Sequence, residues 1–439
     1  TNSFDKLAFI KNLSYKDIPM ELLWMLNENS VVSFRICFLS WCDDKEWLER
    51  FYESLASFCC GNQDNFDLRQ RILQVFIGDL LLLSYGEASE SQAIAEESQQ
   101  ILFEVLQHTD EKTEGLASEE MENWLCLYKI IRELKDVPSD IIYKFFQESL
   151  SNLLTKPCSL TIENAFASQD RWTFEFLSET TKAEYTQFVL MFRSDEIIQA
   201  IQHAVECIKS EPVNIQALCH LLTVFLVQNT EACKLFDDFL SKCLSECVEN
   251  CDTFHFYVVL LLRRQAALEG GHISSSYSTW FGKTFVAKEA SVSLNTKKTI
   301  QFVFASLTKL VPYDQPEFLK VHICKCPQVP SRFKYYVDDY ISLAKTRLQD
   351  LNIPLEDTSG LFAQRASSEE HAKVMEQARG DVEKCLLLYE QSGKIPTTIM
   401  EASIFRKPYF IGRFLQALLV PRNLSQEADV RARLIEELN

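Results

Sequence analysis

Residues 216–226 read QALCHLLTVFL, and residues 256–268 read FYVVLLLRRQAAL. In the first, Leu218, Leu221, Leu222, Phe225 and Leu226 stand at i, i+3, i+4, i+7 and i+8. That spacing stacks apolar side chains along one face of an α-helix. The second runs without a turn residue until Gly270-Gly271, the pair expected to end it. The same texture fills the chain. Only 11 of 439 residues are glycine and 12 are proline, where glycine alone usually makes up about 7%. Sheets need turns, and tight turns need Gly, Pro and Asn-Gly or Asp-Gly pairs. Neither pair occurs, so the composition excludes a hairpin-rich fold and predicts an all-α one.

Helical spacing predicts helices near 18–27, 30–58, 65–85, 90–108, 118–134, 138–154, 181–192, 194–209, 213–227, 229–249, 252–268, 291–311, 331–350, 368–391, 397–404, 408–419 and 425–438. Ser139-Asp140 reads as a cap after Pro138, and Ser367 with Glu370 as a capping box. So many helices on short connections exceed one core. The expectation is an α-solenoid of degenerate HEAT- or armadillo-like antiparallel pairs, without a repeat at fixed period. It is organised as an array over 1–155, a loop or linker at 156–180, and a second array over 181–439. Another long loop is expected at 350–366.

The net charge is −18, which opposes nucleic-acid binding by the chain as a whole. The acids are concentrated. Residues 87–122 hold eleven, Glu96, Glu97 and Glu104 among them, against the single base Lys112. This is a solvated helix face or a docking strip for a basic partner. The fifteen cysteines are scattered, several of them (Cys37, Cys126, Cys219, Cys385) inside apolar helical runs, as buried thiols of a reducing compartment would be. No stretch of about 20 apolar residues is present for a membrane span. The chain begins at Thr1 with no secretory leader, and is read as part of a longer protein.

Gly282-Lys283-Thr284 imitates the end of a phosphate-binding loop. The first glycine of that motif would fall at Tyr277, whose side chain blocks the close approach of a phosphate, and the preceding segment reads as helix rather than strand. An aromatic helical turn with Trp280 and Phe281 in the core is expected instead. Cys243, Cys247, Cys251 and His255 recur every four residues. On one helix they drift round the axis and climb about 18 Å, too far to close on one ion. His322-Ile323-Cys324-Lys325-Cys326 and Cys59-Cys60 lack a matching second half. No catalytic motif stands out, so no catalytic, cofactor or metal residue is assigned.

One basic, aromatic segment departs from the acidic average: TIMEASIFRKPYFIGRFLQALLVPR, 398–422. Arg406, Lys407, Arg413 and Arg422 face Glu401 alone, interleaved with Phe405, Tyr409, Phe410 and Phe414. The readings are a helical hairpin with an aromatic core, a protein-partner surface, or a nucleic-acid contact by charge and stacking. Together with Glu96, Glu97 and Glu104, residues Arg406, Lys407, Tyr409, Phe410, Arg413 and Arg422 form the candidate partner surface.

RQAALEG (264–270), SYSTWF (276–281), DYISLAKTRL (339–348) and MEASIFRKPYF (400–410) resemble the Fanconi anaemia group A family, over about residues 194–422. The resemblance implies part of the N-terminal half of a longer, non-enzymatic scaffold. Its setting would be the nuclear Fanconi core complex, a ubiquitin ligase of DNA interstrand crosslink repair whose ligase chemistry lies in another subunit. It implies as partners the Fanconi group G protein and other core subunits, a small ubiquitin-binding associated protein and a second copy of the chain. It implies a nuclear and also cytoplasmic location, no cofactor and no membrane. The family's nuclear localisation signal and much of its group G binding belong to an extreme N-terminus not found in this sequence, and its nucleic-acid binding to a C-terminal part also not found. The alternative function is a nucleic-acid-binding solenoid using 398–422.

Overall fold

The computed structural model describes residues 18–438 apart from 61–64, 87–91, 114–123, 157–159, 209–212, 230–231, 271–272, 288–289, 354–367, 406–409 and 420–429. Among the described residues there is helix and no strand. The chain forms two compact units that divide between Trp280 and Phe281.

The first unit runs through α1 (Met20–Glu28), α2 (Phe34–Trp41), α3 (Lys45–Cys59), α4 (Phe66–Tyr85), α5 (Gln92–Thr113), α6 (Leu127–Arg132), α7 (Ser139–Thr155), α8 (Ile162–Ser168) and a 3-10 turn at Gln169–Trp172. It continues with α9 (Glu179–Met191), α10 (Ser194–Cys207), α11 (Ile215–Gln228), α12 (Ala232–Asn250), α13 (Thr253–Leu268) and α14 (Tyr277–Phe281), on which the division falls. Helices pack on sequence neighbours: α3 and α4 on α5, α4 on α7, α7 and α9 on α11, α10 on α12, α11 and α12 on α13. This near-neighbour pairing is compatible with a solenoid.

The two opening stretches are the most enclosed helices. In α11, residues 221–226 are all buried, and in α13 so are residues 256–266. A helix apolar all round belongs inside a layer rather than at its edge, and each buried Leu or Phe stabilises by about 1.5–3 kcal/mol. The helix α13 ends as expected at Gly270, whose φ of 102° is left-handed backbone that glycine adopts without strain.

The polar residues of RRQAALEG point inward rather than to solvent. Arg263 and Arg264 are fully buried. Arg264 lies over the rings of Phe166 (4.9 Å) and Tyr277 (5.4 Å). Gln265 donates to the Trp172 carbonyl at 3.1 Å and to Thr223 at 3.1 Å, and Thr223 Oγ1 reaches Glu269 Oε1 at 3.0 Å. The backbone N–H of Phe174 donates to the same carboxylate. These bonds tie the 3-10 turn and the tight turn after it to α11 and α13.

Several sequence expectations change. The helix expected over 30–58 is two, α2 and α3. The Asp44 side chain accepts from the N–H groups of Glu46 (3.0 Å) and Trp47 (3.3 Å) and so starts a new helix. The loop expected over 156–180 contains α8 and the 3-10 turn. Gln169 fixes them there by donating to the Leu261 carbonyl at 2.7 Å, a tertiary bond that no local pattern announces. Among the described residues, the helix expected over 118–134 spans only α6. Ser139 opens α7, but no side chain caps it. Ser367 lies outside the described residues.

The second unit contains a π-helical turn (Gly282–Val286), α15 (Lys297–Leu310), α16 (Pro316–Cys324), a 3-10 turn (Ser331–Phe333) and α17 (Lys334–Asp350). It continues with α18 (Ser368–Ser392), α19 (Thr397–Phe405), a second π turn (Phe410–Phe414), α20 (Leu415–Leu418) and α21 (Val430–Leu438). The helix α16, which the sequence reading passed over, is opened by Pro316 at its first turn. The helices α15 and α16 pack on α17. From α18 to α21, Val382, Tyr389, Ile399, Phe414, Leu418 and Leu434 close a core of their own.

Candidate docking groove

Residues 87–91 and 114–122 of the acidic strip lie outside the described residues, but Glu97 and Glu104 of it line a groove where two helices present polar stripes to each other. On α3, Trp47, Leu48, Phe51 and Leu55 are buried, which turns Lys45, Glu49, Tyr52 and Glu53 to the other side. On α5, Ile101, Leu102, Val105 and Leu106 are buried, which turns out Glu97, Gln100, Glu104 and His108. From Glu49 the neighbours Lys45, Tyr52 and Glu53 all stand three or four residues away, and Glu97, Gln100, Glu104 and His108 step by three or four, as one helical face must. Packed together, the helices leave a groove of about 460 Å³ lined by these residues.

Tyr52 and His108 stack across it, ring centroids 6.1 Å apart and planes 22° apart. Four carboxylates (Glu49, Glu53, Glu97, Glu104) face one ammonium, Lys45. Burial, then the charges of Glu97, Glu104 and Glu49, pushes the Tyr52 phenol up to about 12. The field in the groove is therefore negative, with an aromatic floor, a setting that favours a guanidinium or ammonium group.

Glu97 and Glu104, singled out from the sequence, thus share this groove. Glu96 is exposed and lines an adjoining hollow of about 400 Å³ with Gln99, Phe103, Gln107 and Asn152, and Glu104 borders both. Beside the hollow, Tyr85 donates to Glu148 at 2.7 Å, and Gln99 donates to both. Sequence reading missed Glu49, Tyr52, Glu53 and His108. The signal was present as the polar stripe 45, 49, 52, 53, but within a supposed continuous helix over 30–58 it had no opposing face.

Of the basic segment, Arg406, Lys407, Tyr409 and Arg422 lie outside the described residues, and Arg413 falls within the second π turn. Phe410 is half-buried and stacks on Phe414, centroids 5.7 Å apart and planes at 16°, against the core of its own helical cluster. The neighbouring Ile411 and Leu419 are more than half exposed.

The remaining sequence candidates are placed as follows. Gly282-Lys283-Thr284 forms the first π turn directly after α14, with Phe281 buried, Trp280 half-buried, and the Thr284 carbonyl accepting from Val292 N–H at 3.1 Å. Cys243 and Cys247 lie on α12. Cys251 has left-handed backbone (φ 55°) just beyond its end, and His255, on α13, bonds Asp252 at 2.8 Å. His322 is buried and bonds the Tyr340 hydroxyl, while Cys324 is exposed. Among the described residues no helix is long and apolar enough to cross a membrane.

Residues 10–354 match the family model of the Fanconi anaemia group A protein N terminus, and residues 375–439 match that of the FANCA helical domain. The chain belongs to the Fanconi anaemia group A protein family. It is 29% identical to the human Fanconi anemia group A protein over 452 aligned positions, covering 99% of this chain. It is 30% identical to the mouse homolog over 454, covering all of it. The chain spans 31% of the length of each of these curated relatives. The whole-chain match extends the sequence resemblance, drawn over about 194–422, through the region that carries the groove.

Proposed function

We propose that this chain is a non-enzymatic scaffold module of the nuclear Fanconi core ubiquitin-ligase complex in DNA interstrand crosslink repair, and that the groove between α3 and α5 docks a basic segment of a partner subunit. Family membership supports the setting. The observation that carries the docking role is the groove itself: four carboxylates against one ammonium around the stacked Tyr52–His108 pair. An arginine entering it meets carboxylates at the walls and ring faces at the floor, and the same field repels nucleic-acid phosphate. The Fanconi group G protein is the partner to test first. The small ubiquitin-binding associated protein and a second copy of this chain are further partners of the scaffold.

Light scattering during size-exclusion chromatography of this chain mixed with purified group G protein tests the reading. A co-eluting complex that weakens with salt, and that Glu97→Lys with Glu104→Lys dissolves, is the expected result. A complex indifferent to both substitutions places the docking surface elsewhere. Absence of any complex refutes a group G site within these residues.

A further inference from the structure

A second groove of about 340 Å³ lies between α7 and α10. Its floor is apolar: Leu150, Leu154, Phe192 and Ala204 are buried beneath it, and Ala200 and Val213 complete the lining. One wall is fixed at the start of α10. There Glu196 accepts from the Arg193 N–H at 2.8 Å and from the Tyr143 hydroxyl at 2.7 Å, which ties α7 to α10. Three turns further along α10 the lining ends in a thiol. Cys207 Sγ stands 3.7 Å from both ring nitrogens of His203, one turn before it on the same face. Cys207 is half-buried and His203 exposed, so solvent reaches both.

We propose that Cys207 is a covalent modification site for soft electrophiles with an apolar tail, of the α,β-unsaturated carbonyl class, the tail lying in the α7–α10 groove. His203 accepts the thiol proton. The sulfur forms a bond to the β-carbon, and the electron pair of the carbon–carbon double bond moves onto the carbonyl as an enolate. The α-carbon then takes the proton back from the imidazolium. Nothing leaves and nothing is oxidised or reduced, so the adduct weighs the sum of its parts. Two ligands alone would hold a metal weakly, and no second cysteine lines the groove among the described residues, so neither a metal nor a disulfide fits it as well. Four of the other thiols compete poorly. Burial pushes Cys37, Cys59 and Cys126 up to about 12 and Cys243 to about 11, which keeps them protonated and unreactive at neutral pH.

The exposed Cys324 is an internal reference. The whole chain is treated with limiting acrolein, which has no tail, or with nonenal, which has a long alkyl tail. Adducts at Cys207 and Cys324 are then compared by peptide mass spectrometry. The ratio of Cys207 to Cys324 adduct is expected to rise at least about tenfold from acrolein to nonenal, the gain that burying roughly two methylene groups supplies. Ala200→Gln, at a half-exposed helical position, is expected to abolish that gain while leaving the melting curve unchanged. His203→Ala is expected to slow both reagents at Cys207. A ratio that is the same for both reagents, or a gain that survives Ala200→Gln, overturns the proposal.

Discussion

The guanidinium of Arg263 meets the Asp237 carboxylate at 2.7 Å, although Arg263 is fully buried and the Asp237 side chain is 45% exposed. The same arginine donates to Ser274 Oγ at 3.1 Å, to Ser275 Oγ at 2.6 Å and to the Ser275 carbonyl, and its guanidinium lies 5.7 Å from the centre of the Trp280 ring. The partners are unequal. Arg263→Met leaves several acceptors dry and is expected to destabilise by about 3 kcal/mol, whereas Asp237→Asn, whose site water reaches, is expected to cost under about 1 kcal/mol. Urea unfolding of the two variants checks the asymmetry.

His220 sits between Trp172 (6.2 Å) and Tyr185 (5.8 Å), and burial pulls its imidazole down to about 4 from the usual 6.5. The folded state therefore keeps it neutral while the unfolded chain takes up a proton below about 6.5. The stability it contributes is present above that pH and lost as pH falls towards about 4. The loss is expected to be about 2–3 kcal/mol. His220→Gln should flatten this part of the stability profile between pH 7 and about 4, and an unchanged slope would count against the assignment.

Glu269 titrates in the opposite sense. Burial raises its carboxyl, against the bonds from Phe174 N–H, Thr223 and Gln265 that lower it. A raised folded value means that the proton is held more tightly in the native state. Its contribution is present below the unfolded value of about 4.5 and lost as pH rises through the folded one. The stability of the unsubstituted chain minus that of Glu269→Gln is expected to grow as pH falls from 7 towards 4.5. Measuring the difference cancels the groups common to both proteins.

Gly282→Ala separates a packing turn from a phosphate loop. An added Cβ meets the Lys325 side chain, Nζ at 3.3 Å and Cδ at 3.5 Å, and a flexible chain end can give way. The variant is expected to unfold within about 1 kcal/mol of the unsubstituted protein, and Lys283→Ala likewise. Nucleotide binding lost in either variant would contradict the π-turn reading.

The all-α fold was legible because its signals are dense and local. The period of Leu218 to Leu226 and the break at Gly270 need no tertiary knowledge. What escaped was set by contacts distant in sequence or too short to show a period: the seven-residue α8, the helix opened by Pro316, and the break that Asp44 imposes between α2 and α3. The groove was half legible for the same reason. Glu97 and Glu104 stood out as charge, but Tyr52, His108, Glu49 and Glu53 acquire meaning only when α3 is laid against α5. Arg264 and Gln265 were recognised within a family motif without any hint that they are interior, and Arg263 stood just outside it.

Most helix partners in the first unit lie close along the chain, but Gln169 does not. Its amide bonds reach the Leu261 carbonyl and Gln265, 92 and 96 residues further on. During synthesis the earlier helix pairs can close as they leave the ribosome, while α8 and its 3-10 turn wait for α13 to emerge. A ribosome paused between these points carries a nascent chain whose 162–177 stretch can rest on α11 but lacks its α13 anchors, and release of the pause brings two stretches remote along the chain into one interior.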